Sequence, residues 1–328
     1  MINGPNSLTI LICTHNRVDL LLRTLEFLNS AQRPKGWQVG VLVAANACSD
    51  ETVIRLENFK QIKPDALALD WFEEPTPGKS HALNSAIPRI RSDLVAFVDD
   101  DHRVDSAYLV NLCRAAEAYP DADLFCGRIL PDWDGSEPAW VHDKGPYRIY
   151  PLPVPRFDQG DTPKPLALDS AIPGGGNLFL RREWCERVGG FSTEFGPVGH
   201  NLGGAEDLEW VRRALHLGAR LQYVPDVVQY HYVDGERLAL AYLIKKAYIR
   251  SASNVRLSED NSTSGGRVPA FMYRKVAGYL LWVLTAIKAQ HRRFYLVRLA
   301  AAMGECRGYH LRHKDRLQAH SLTGSGKH

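Results

Sequence analysis

The octapeptide LVAFVDDD at residues 94–101 runs from an uninterrupted apolar segment into three adjacent carboxylates. In an open α/β sheet, ligands bind just outside the carboxyl ends of the strands. Three neighbouring carboxylates repel one another there unless a cation offsets their charge, and oxygen ligands suit Mg²⁺ or Mn²⁺. Because side chains alternate along an extended chain, Asp99 and Asp101 are predicted to share one side and Asp100 the other. The alternative interpretation is an acidic loop or a cap for the next helix.

Strand-like and helix-like segments alternate around this octapeptide. Apolar runs predict strands over residues 8–13, 39–44, 66–72, 94–98, 123–130, 177–180 and 220–224. Helical spacing of apolar residues predicts helices over residues 18–30, 50–59, 79–87, 107–119, 182–188 and 206–217. Because the strands are nearly continuous in apolar residues, the pattern predicts an α/β fold with a doubly wound, mostly parallel sheet and helices on both faces.

Polar and glycine-rich motifs follow the predicted strands along the chain. The first predicted strand is followed by Thr14-His15-Asn16-Arg17, where a dinucleotide-binding protein or a P-loop NTPase would carry a glycine-rich loop. Further motifs are NACSDET at 46–52, GKSHALN at 78–84, VDDD at 98–101, GGGN at 174–177, GGF at 189–191 and GAEDLE at 204–209. As an ordered set they resemble the inverting family 2 glycosyltransferases over residues 7–257, which implies the GT-A fold.

The resemblance implies roles for the residues at matching positions. Asp101 corresponds to the last acid of the family's DxD motif, the direct metal ligand, and Asp99 to the first acid, near the ribose and diphosphate. Asp207, beside Glu206, stands at the position of the general base. The resemblance places the donor nucleotide against Thr14, Asn16, Arg17, Asn46, Asp50, Lys79, Asn84, Asp99 and Asp100.

One position departs from the family pattern. Many members carry an aspartate before the asparagine of the second motif, and that aspartate reads the uracil edge. In this chain Ala45 precedes Asn46. The departure leaves GDP- and dTDP-sugars open beside a UDP-sugar as the donor.

The chemistry of the candidate residues agrees with the implied reaction. Inverting glycosyl transfer is an in-line displacement that needs a carboxylate to take the acceptor proton and a cation to stabilise the leaving diphosphate. Glu206 and Asp207 follow two glycines and open a predicted helix, whose dipole favours ionised carboxylates. A helix cap without chemistry is the alternative. His231 follows a strand-like run and is a candidate metal ligand, a diphosphate contact or a structural histidine.

The segment 131–173 is rich in proline, glycine and tryptophan and is too long for a plain connection. It predicts a substrate-side insertion, in which Trp133 and Trp140 either stack on sugar rings or anchor the loop to the core. Gly175, Gly176 and Asn177 either let the backbone approach an acceptor sugar or form a tight turn. We therefore predict a catalytic domain at 1–235, with a nucleotide-binding half at 1–130 and an acceptor-binding half at 131–235.

The charge of the chain is unevenly distributed, although its formal net charge is only +3. From Arg237 onward there are 17 basic and 4 acidic residues, against 23 basic and 33 acidic residues before it. We predict a basic helical region at 236–320, with helices at 238–257, 270–288 and 292–306, and a disordered tail at 321–328. The apolar run 277–287 is too short to span a bilayer, and its basic flanks predict an interfacial helix beside an anionic membrane surface. An ordinary packed helix is the alternative.

The six cysteines form no CxxC pair and no zinc-site spacing with histidine. This usage is typical of reduced thiols, and the apolar run at 8–13 does not have the form of a signal peptide. We expect a cytoplasmic protein, peripheral at the inner face of the cell membrane if the basic helices bind lipid.

Together these features predict a metal-dependent inverting glycosyltransferase with Mn²⁺ or Mg²⁺ as cofactor. The predicted substrates are a UDP-, GDP- or dTDP-sugar and a hydroxyl acceptor such as a lipid-linked glycan, in cell-envelope, exopolysaccharide or glycolipid biosynthesis. One alternative is a nucleotidyltransferase, which would carry a loop rich in glycine and basic residues after the first strand. Another is a non-catalytic carbohydrate-binding relative, which would have lost the acids. We expect no nucleic-acid partner, because the acidic part would oppose a phosphate backbone.

Overall fold

The computed structural model describes residues 6–62, 66–193, 206–257 and 268–324. Gly204 and Ala205 of the motif at 204–209 lie outside the described residues. The chain divides into two compact units. The sheet unit comprises Met1–Asp132 and Pro155–Tyr232, and the helical unit comprises Trp133–Val154 and Val233–His328. The predicted insertion 131–173 is therefore divided between the two units.

The sheet unit is built on one mixed sheet. Its strands are β1 (Ser7–Thr14), β2 (Gln38–Asn46), β3 (Ala68–Glu74), β4 (Leu94–Phe97), β5 (His102–Val104), β6 (Leu124–Asp132), β7 (Lys164–Leu166), β8 (Leu178–Arg181) and β9 (Leu221–Tyr232). They are ordered β3-β2-β1-β4-β8-β6-β9-β5, and β7 also pairs with β9. Only β5, β7 and β8 oppose the common direction of the other strands. The predicted mostly parallel sheet is confirmed.

Helices cover both faces of this sheet. They are α1 (Val18–Ser30), α2 (Thr52–Ile62), α3 (Lys79–Ala86), α4 (Tyr108–Ala118), α5 (Glu183–Val188) and α6 (Glu206–His216). The alternation of side chains in β1 explains the two cores. Ile10 and Ile12 pack with α1, α2 and α4, whereas Leu11 packs with α3, α5 and α6. The doubly wound arrangement expected from the strand–helix alternation is therefore present.

The strand bounds differ from the prediction around the acidic triplet. β9 continues to Tyr232, whereas the apolar pattern predicted an end at residue 224. The short strands β5 and β7 were not predicted, because three residues are too few to show an alternating pattern. β5 begins directly after Asp101 and pairs antiparallel with β9. The acidic triplet therefore connects two strands of one sheet.

The helical unit contains α7 (Leu240–Leu257), α8 (Ala270–Thr285) and α9 (Ala289–Gly324). A Cβ at Gly304 or Gly308 of α9 would lie 2.2 or 2.5 Å from the carbonyl oxygens of Tyr248 and Ala252, so the two glycines permit close packing against α7. The predicted end of the last helix at 306 is wrong. Residues 321–324 of the predicted tail are helical, and residues 325–328 lie outside the described part.

Two further expectations concern the whole chain. All six cysteines are free thiols, as their spacing predicted. Among the residues that the structure describes, no helix has the combination of length and apolarity that crossing a bilayer requires.

Candidate active site

The candidate active site lies at the edge of the sheet where β1, β4 and β9 end. Thr14 ends β1, the acidic triplet follows β4, and His231 lies next to the last residue of β9. Because these strands run in the same direction, their carboxyl ends meet at one edge. Gly175 and Gly176 reach the same edge, since they precede β8, which runs the opposite way.

The acidic triplet is held by two cationic side chains of the protein. Arg17 Nη1 donates to Asp100 Oδ1 and Asp101 Oδ2, both at 3.1 Å, and Lys79 Nζ donates to Asp99 Oδ1 at 3.0 Å. Burial, reinforced by the charge of Asp101, raises the pKa of Asp100 to about 6. Burial alone would also raise the pKa of Asp99, but Lys79 together with the smaller contributions of His102 and His231 outweighs the burial and holds that pKa well below its usual range. The environment therefore favours the ionised form of Asp99 and disfavours that of Asp100.

Two imidazoles face the last acid of the triplet. His102 and His231 are direct cross-strand neighbours in the β5–β9 pair, with ring centroids 5.0 Å apart. His102 Nε2 lies 3.8 Å from both Asp99 Oδ2 and Asp101 Oδ1, and His231 Nε2 lies 3.8 Å from Asp101 Oδ2. Asp99 and Asp101 thus both lie near His102, while Asp100 accepts a 2.8 Å hydrogen bond from Thr14 Oγ1.

These side chains fit a divalent cation. One ligand atom each from Asp101, His102 and His231 lie within 4.8 Å of one another. Donors that bind a cation at about 2.1 Å are separated by about 3 to 4.2 Å, so this spacing is close to what a bound ion requires. Burial lowers the pKa of His231, which keeps its imidazole neutral and able to ligate. His102 Nε2 is buried and has no hydrogen-bond partner in the described part of the chain.

The candidate base lies on the other side of Lys79. Asp207, near the N-terminus of α6, accepts a hydrogen bond at Oδ2 from the Gly175 backbone N–H at 3.0 Å, and the same oxygen lies 3.4 Å from Lys79 Nζ. Burial would lower the pKa of Lys79, but Asp207 and Asp99 together raise it well above its usual value. Lys79 is therefore a permanent cation that joins the metal side of the site to the base side.

The neighbouring Glu206 has a different environment. Its side chain is buried, whereas 14% of the Asp207 side chain is exposed. Burial, followed by repulsion from Asp207, raises the pKa of Glu206, and its Oε2 has no partner within the described residues. Of the two acids, Asp207 is the more exposed, and it is the one that contacts Gly175 and Lys79.

Glycines make this crowding possible. A Cβ on Gly175 would lie 2.3 Å from the Asp207 carboxyl carbon, and a Cβ on Gly176 would lie 2.9 Å from both Asp99 Oδ2 and His102 Cε1. The glycine motif therefore lets the backbone touch the two acidic centres. Its predicted role in approaching an acceptor sugar remains a prediction.

Three predicted ligand-binding asparagines are instead engaged with the backbone. Asn46 Nδ2 donates to carbonyl oxygens of residues 74 and 76 and its Oδ1 accepts from the Gly78 N–H. Asn84 exchanges two hydrogen bonds with the Phe191 backbone. Asn177 Nδ2 donates to the carbonyl oxygens of residues 128 and 227. These amides hold the loops of the site in place, and their expected contacts with donor or acceptor remain predictions.

Asp50 and Asn16 also have local structural roles. The Asp50 carboxylate accepts hydrogen bonds from the backbone N–H groups of Thr52 at 3.2 Å and Val18 at 3.3 Å, so it caps two helices. Asn16, which has a left-handed φ of 52°, accepts from the backbone N–H of Ser49 at 2.7 Å. Both residues join the loops after β1 and β2, and the expected contact of each with the donor remains a prediction.

The predicted tryptophans belong to the helical unit. Trp133 and Trp140 pack against a small core formed by Val141, Val154 and Leu238. The Arg293 guanidinium lies 5.5 Å from the Trp140 ring centroid. Of the two interpretations of these aromatic residues, the observed packing is the anchoring one.

The sequence analysis missed His102 and Gln229. His102 directly follows the acidic triplet, which was the available signal, but no strand was predicted to turn it toward His231. Gln229 lies two residues before His231 in β9, on the same face of the strand. Its position became apparent only with the unpredicted extension of that strand.

Comparisons with known proteins find a matching family and a related protein. A family profile described as "Glycosyl transferase family 2" matches residues 9–189, which is more than half of the chain. "Succinoglycan biosynthesis protein ExoM" of Rhizobium meliloti is 22% identical over 258 residues, which is 78% of this chain and 77% of that protein.

Two solved structures show the same fold. The mannosyltransferase PcManGT from Pyrobaculum calidifontis, in complex with GDP-Man and Mn²⁺, is 18% identical with a TM-score of 0.53, over 91% of this chain and 86% of its own. S. aureus TarS 1-349 in complex with UDP-GlcNAc is 15% identical with a TM-score of 0.52, over 95% of this chain and 92% of its own.

Proposed function

The chain belongs to glycosyl transferase family 2, and on that premise we propose that it moves a sugar from a nucleotide-diphosphate donor to a hydroxyl acceptor, with inversion and with Mn²⁺ or Mg²⁺. The observation that carries the proposal is Lys79, which lies 3.0 Å from Asp99 and 3.4 Å from Asp207. It joins a candidate cation site and a candidate base within one site. The intact acids favour a catalytic role over the non-catalytic relative considered above.

Asp207 is proposed to take the proton of the acceptor hydroxyl. Its Oδ2 is engaged by the Gly175 N–H and Lys79, while Oδ1 has no hydrogen bond within the described residues. The engaged oxygen fixes the carboxylate plane, and the other oxygen is left to receive the proton. The result is a general base that needs no rearrangement before it acts.

The leaving side of the reaction is proposed to lie at the acidic triplet. Asp101 and His231 would hold the cation, with Asp99 beside them, and the bound ion would offset the charge of the departing diphosphate. Arg17 bonds the same Asp101 oxygen that faces His231, so it preorganises that carboxylate. The proposed nucleotide-binding half of the catalytic domain remains 1–130, with the acceptor-binding half at 131–235.

The donor nucleotide is the part of the proposal that a binding screen tests. Ala45 is buried and carries no polar group for a uracil edge, so GDP, dTDP and UDP must be compared directly. We expect one diphosphate with Mn²⁺ to raise the melting temperature, since a ligand at 100 times its Kd adds about 2.7 kcal/mol. No stabilisation by any of them, with Mn²⁺ or Mg²⁺, would contradict the donor proposal.

Product analysis then tests the reaction. The stabilising nucleotide should be released from its sugar conjugate only when a hydroxyl acceptor is present, and NMR should show an inverted anomeric configuration. The relative named for succinoglycan biosynthesis supports an acceptor in a cell-surface or exopolysaccharide pathway. Tight binding of the nucleotide sugar with no release under any acceptor would instead indicate the non-catalytic alternative.

The helical unit is proposed to bind an anionic membrane surface. Tyr273, Leu280, Leu281 and Leu284 occupy helical positions i, i+7, i+8 and i+11 of α8, and each side chain is between 47% and 75% exposed. Ile287, just beyond the helix, is 96% exposed. Exposed basic residues accompany this apolar stripe, namely Arg274, Lys288, Arg292 and Arg298. Apolar side chains flanked by cations match an interfacial helix on anionic lipid.

A further inference from the structure

We propose that His102 is a nitrogen ligand of the catalytic cation, that Gln229 sets the tautomer with which it binds, and that the resulting site favours Mn²⁺ over Mg²⁺. The inference rests on the proposed function in one respect, the binding of a divalent cation at Asp101. It adds a second imidazole to the candidate ligands Asp101, Asp99 and His231.

The first observation is the unused ring nitrogen of His102. Only 1% of the His102 side chain is exposed, and Nε2 has no hydrogen-bond partner within the described residues. A buried polar atom without a partner costs free energy, so its persistence calls for a ligand. Nε2 lies 3.8 Å from carboxylate oxygens of both Asp99 and Asp101. The atom that lacks a partner therefore faces the acids that a cation would bridge.

The second observation fixes the protonation of the opposite ring nitrogen. The Gln229 side-chain amide nitrogen donates to the Phe97 carbonyl oxygen at 3.2 Å and to Asn177 Oδ1 at 3.1 Å. Because a carbonyl oxygen only accepts, this end of the amide is the NH₂ group. Gln229 Oε1 therefore faces His102 Nδ1, which must carry the hydrogen that it donates. In the neutral ring, the lone pair is then on Nε2, toward Asp101.

The orientation of Gln229 is itself fixed one step further from the site. Asn177 Nδ2 donates to the carbonyl oxygens of Arg128 at 2.7 Å and Val227 at 3.0 Å, so its Oδ1 has to face Gln229. Gln229 also donates to the Tyr108 hydroxyl at 2.8 Å. The side-chain amide nitrogens of Gln229 and Asn177 are thus both identified by the carbonyl oxygens that accept hydrogen bonds from them. Outer partners of this kind orient metal-binding imidazoles and raise their basicity.

The ligand set has a consequence for the choice of metal. Mg²⁺ prefers oxygen ligands and loses its water reluctantly, whereas imidazole nitrogen suits transition metals. Two cross-strand imidazoles beside one carboxylate would therefore favour Mn²⁺ over Mg²⁺. Without His102, the set is closer to the oxygen-rich site that either ion accepts.

Pulsed electron paramagnetic resonance of Mn²⁺ tests the ligand directly in the full chain, because it counts directly bound nitrogen nuclei. We expect two imidazole nitrogens in the wild type and one in each of His102→Ala and His231→Ala. His216→Ala, which removes an exposed imidazole at the end of α6, is the matched control and should keep both. A wild-type spectrum with one nitrogen, lost in His231→Ala and kept in His102→Ala, would overturn the inference.

Metal titrations test the selectivity and the role of Gln229 as a positioning residue. His102→Ala should weaken Mn²⁺ binding by about 10- to 100-fold and Mg²⁺ binding by less. Gln229→Leu removes the acceptor for Nδ1 and should weaken Mn²⁺ binding about 10-fold and diminish the second nitrogen signal. Melting temperatures in EDTA show whether each variant folds. If a variant does not fold, the number of nitrogens bound to Mn²⁺ in the wild type decides the inference.

The outcomes separate this inference from the proposed function. If the wild type binds no divalent cation, both fail. If it binds Mn²⁺ at Asp101 but His102→Ala keeps the wild-type affinity and nitrogen count, the further inference fails and the proposed function stands. Equal loss of Mn²⁺ and Mg²⁺ affinity in His102→Ala would refute the selectivity.

Discussion

The sheet unit and the helical unit differ in what they leave exposed. In the sheet unit, strand side chains such as Ile10 and Leu11 are buried in two large cores, and the charged groups at the sheet edge are paired with one another. In the helical unit the core around Val141 is small, whereas Leu284 and Ile287 are 75% and 96% exposed. The sheet unit pairs the charges of its candidate site, while the helical unit exposes apolar and basic side chains, a surface that we propose a partner covers.

This contrast predicts that the largest effects of single substitutions on catalysis lie at the sheet edge. Asp101→Asn removes the carboxylate that faces both imidazoles, so Mn²⁺-dependent nucleotide binding should be abolished and turnover should fall to background. The apo protein should stay folded, since the change also removes one of three crowded negative charges. Thermal shift with and without Mn²⁺ measures the binding, and EDTA should reproduce the loss in the wild type.

Asp121→Asn is the matched control, because its carboxylate lies in the same unit and is 87% exposed. It should bind nucleotide and metal as the wild type does. Unchanged Mn²⁺-dependent stabilisation of Asp101→Asn by UDP, GDP and dTDP alike would show that the metal lies elsewhere.

The next largest effect is expected on the base side of the same site. Asp207→Asn should lower turnover by about 10²- to 10⁴-fold, the usual contribution of a general base, and leave donor binding nearly intact because the base acts on the acceptor. Steady-state kinetics and donor titration separate the two. Glu206→Gln should cost less, since the Glu206 side chain is buried and points about 100° away from that of Asp207 on the helix. The reverse ranking, with Glu206→Gln inactive and Asp207→Asn active, would exchange their roles.

A smaller effect is expected from the glycine that supports the base. In Gly175→Ala the new Cβ would fall 2.3 Å from the Asp207 carboxyl carbon, so the carboxylate must move. A displacement of about 1 Å can cost about 10²-fold in turnover, and donor affinity should change less. Gly174→Ala is the control, because a Cβ there meets nothing within 4 Å and its φ of −73° suits alanine. Equal activity of the two variants would mean that Asp207 needs no fixed position.

The sequence allowed much of the sheet unit to be predicted, because its signals are local. The strands have long apolar runs, and Asp101, Lys79 and Asp207 lie in motifs whose order along the chain predicts that they meet. Their predicted functions follow from the resemblance and await the tests above. What the structure adds is the geometry of the site, in which Lys79 lies within 3.4 Å of both Asp99 and Asp207.

Other features could not be predicted because they depend on pairing between distant segments. β5 is three residues long, so only its pairing with β9 shows that His102 faces His231. Asn84 and Asn177 have amide side chains of the kind that binds ligands, yet their amide nitrogens donate to backbone carbonyl oxygens 107 and 50 positions away. α9 runs past its predicted end, because the residues after 306 lack the regular apolar spacing from which a helix could be predicted.

The smallest expected effect concerns the surface of the helical unit. Arg274 and Lys288 are exposed beside the apolar stripe of α8, and a basic residue near an anionic leaflet contributes about 1 kcal/mol. Arg274→Gln and Lys288→Gln should therefore each weaken partitioning onto phosphatidylserine-containing vesicles by about five-fold. Co-sedimentation measures the effect, and added salt should weaken wild-type binding because charges are screened over about 8 Å at physiological ionic strength.

Lys35→Gln is the matched control, because it removes one exposed cation from the sheet unit and should leave partitioning unchanged. Binding of the wild type to phosphatidylcholine vesicles as strong as to anionic ones would remove the electrostatic part of the proposal. Concentration-dependent self-association in sedimentation velocity, with no vesicle binding, would show instead that a second copy of the chain covers the apolar stripe. In either case the contrast between the units would stand, since Leu284 and Ile287 stay exposed in the isolated chain, and only the identity of the covering partner would change.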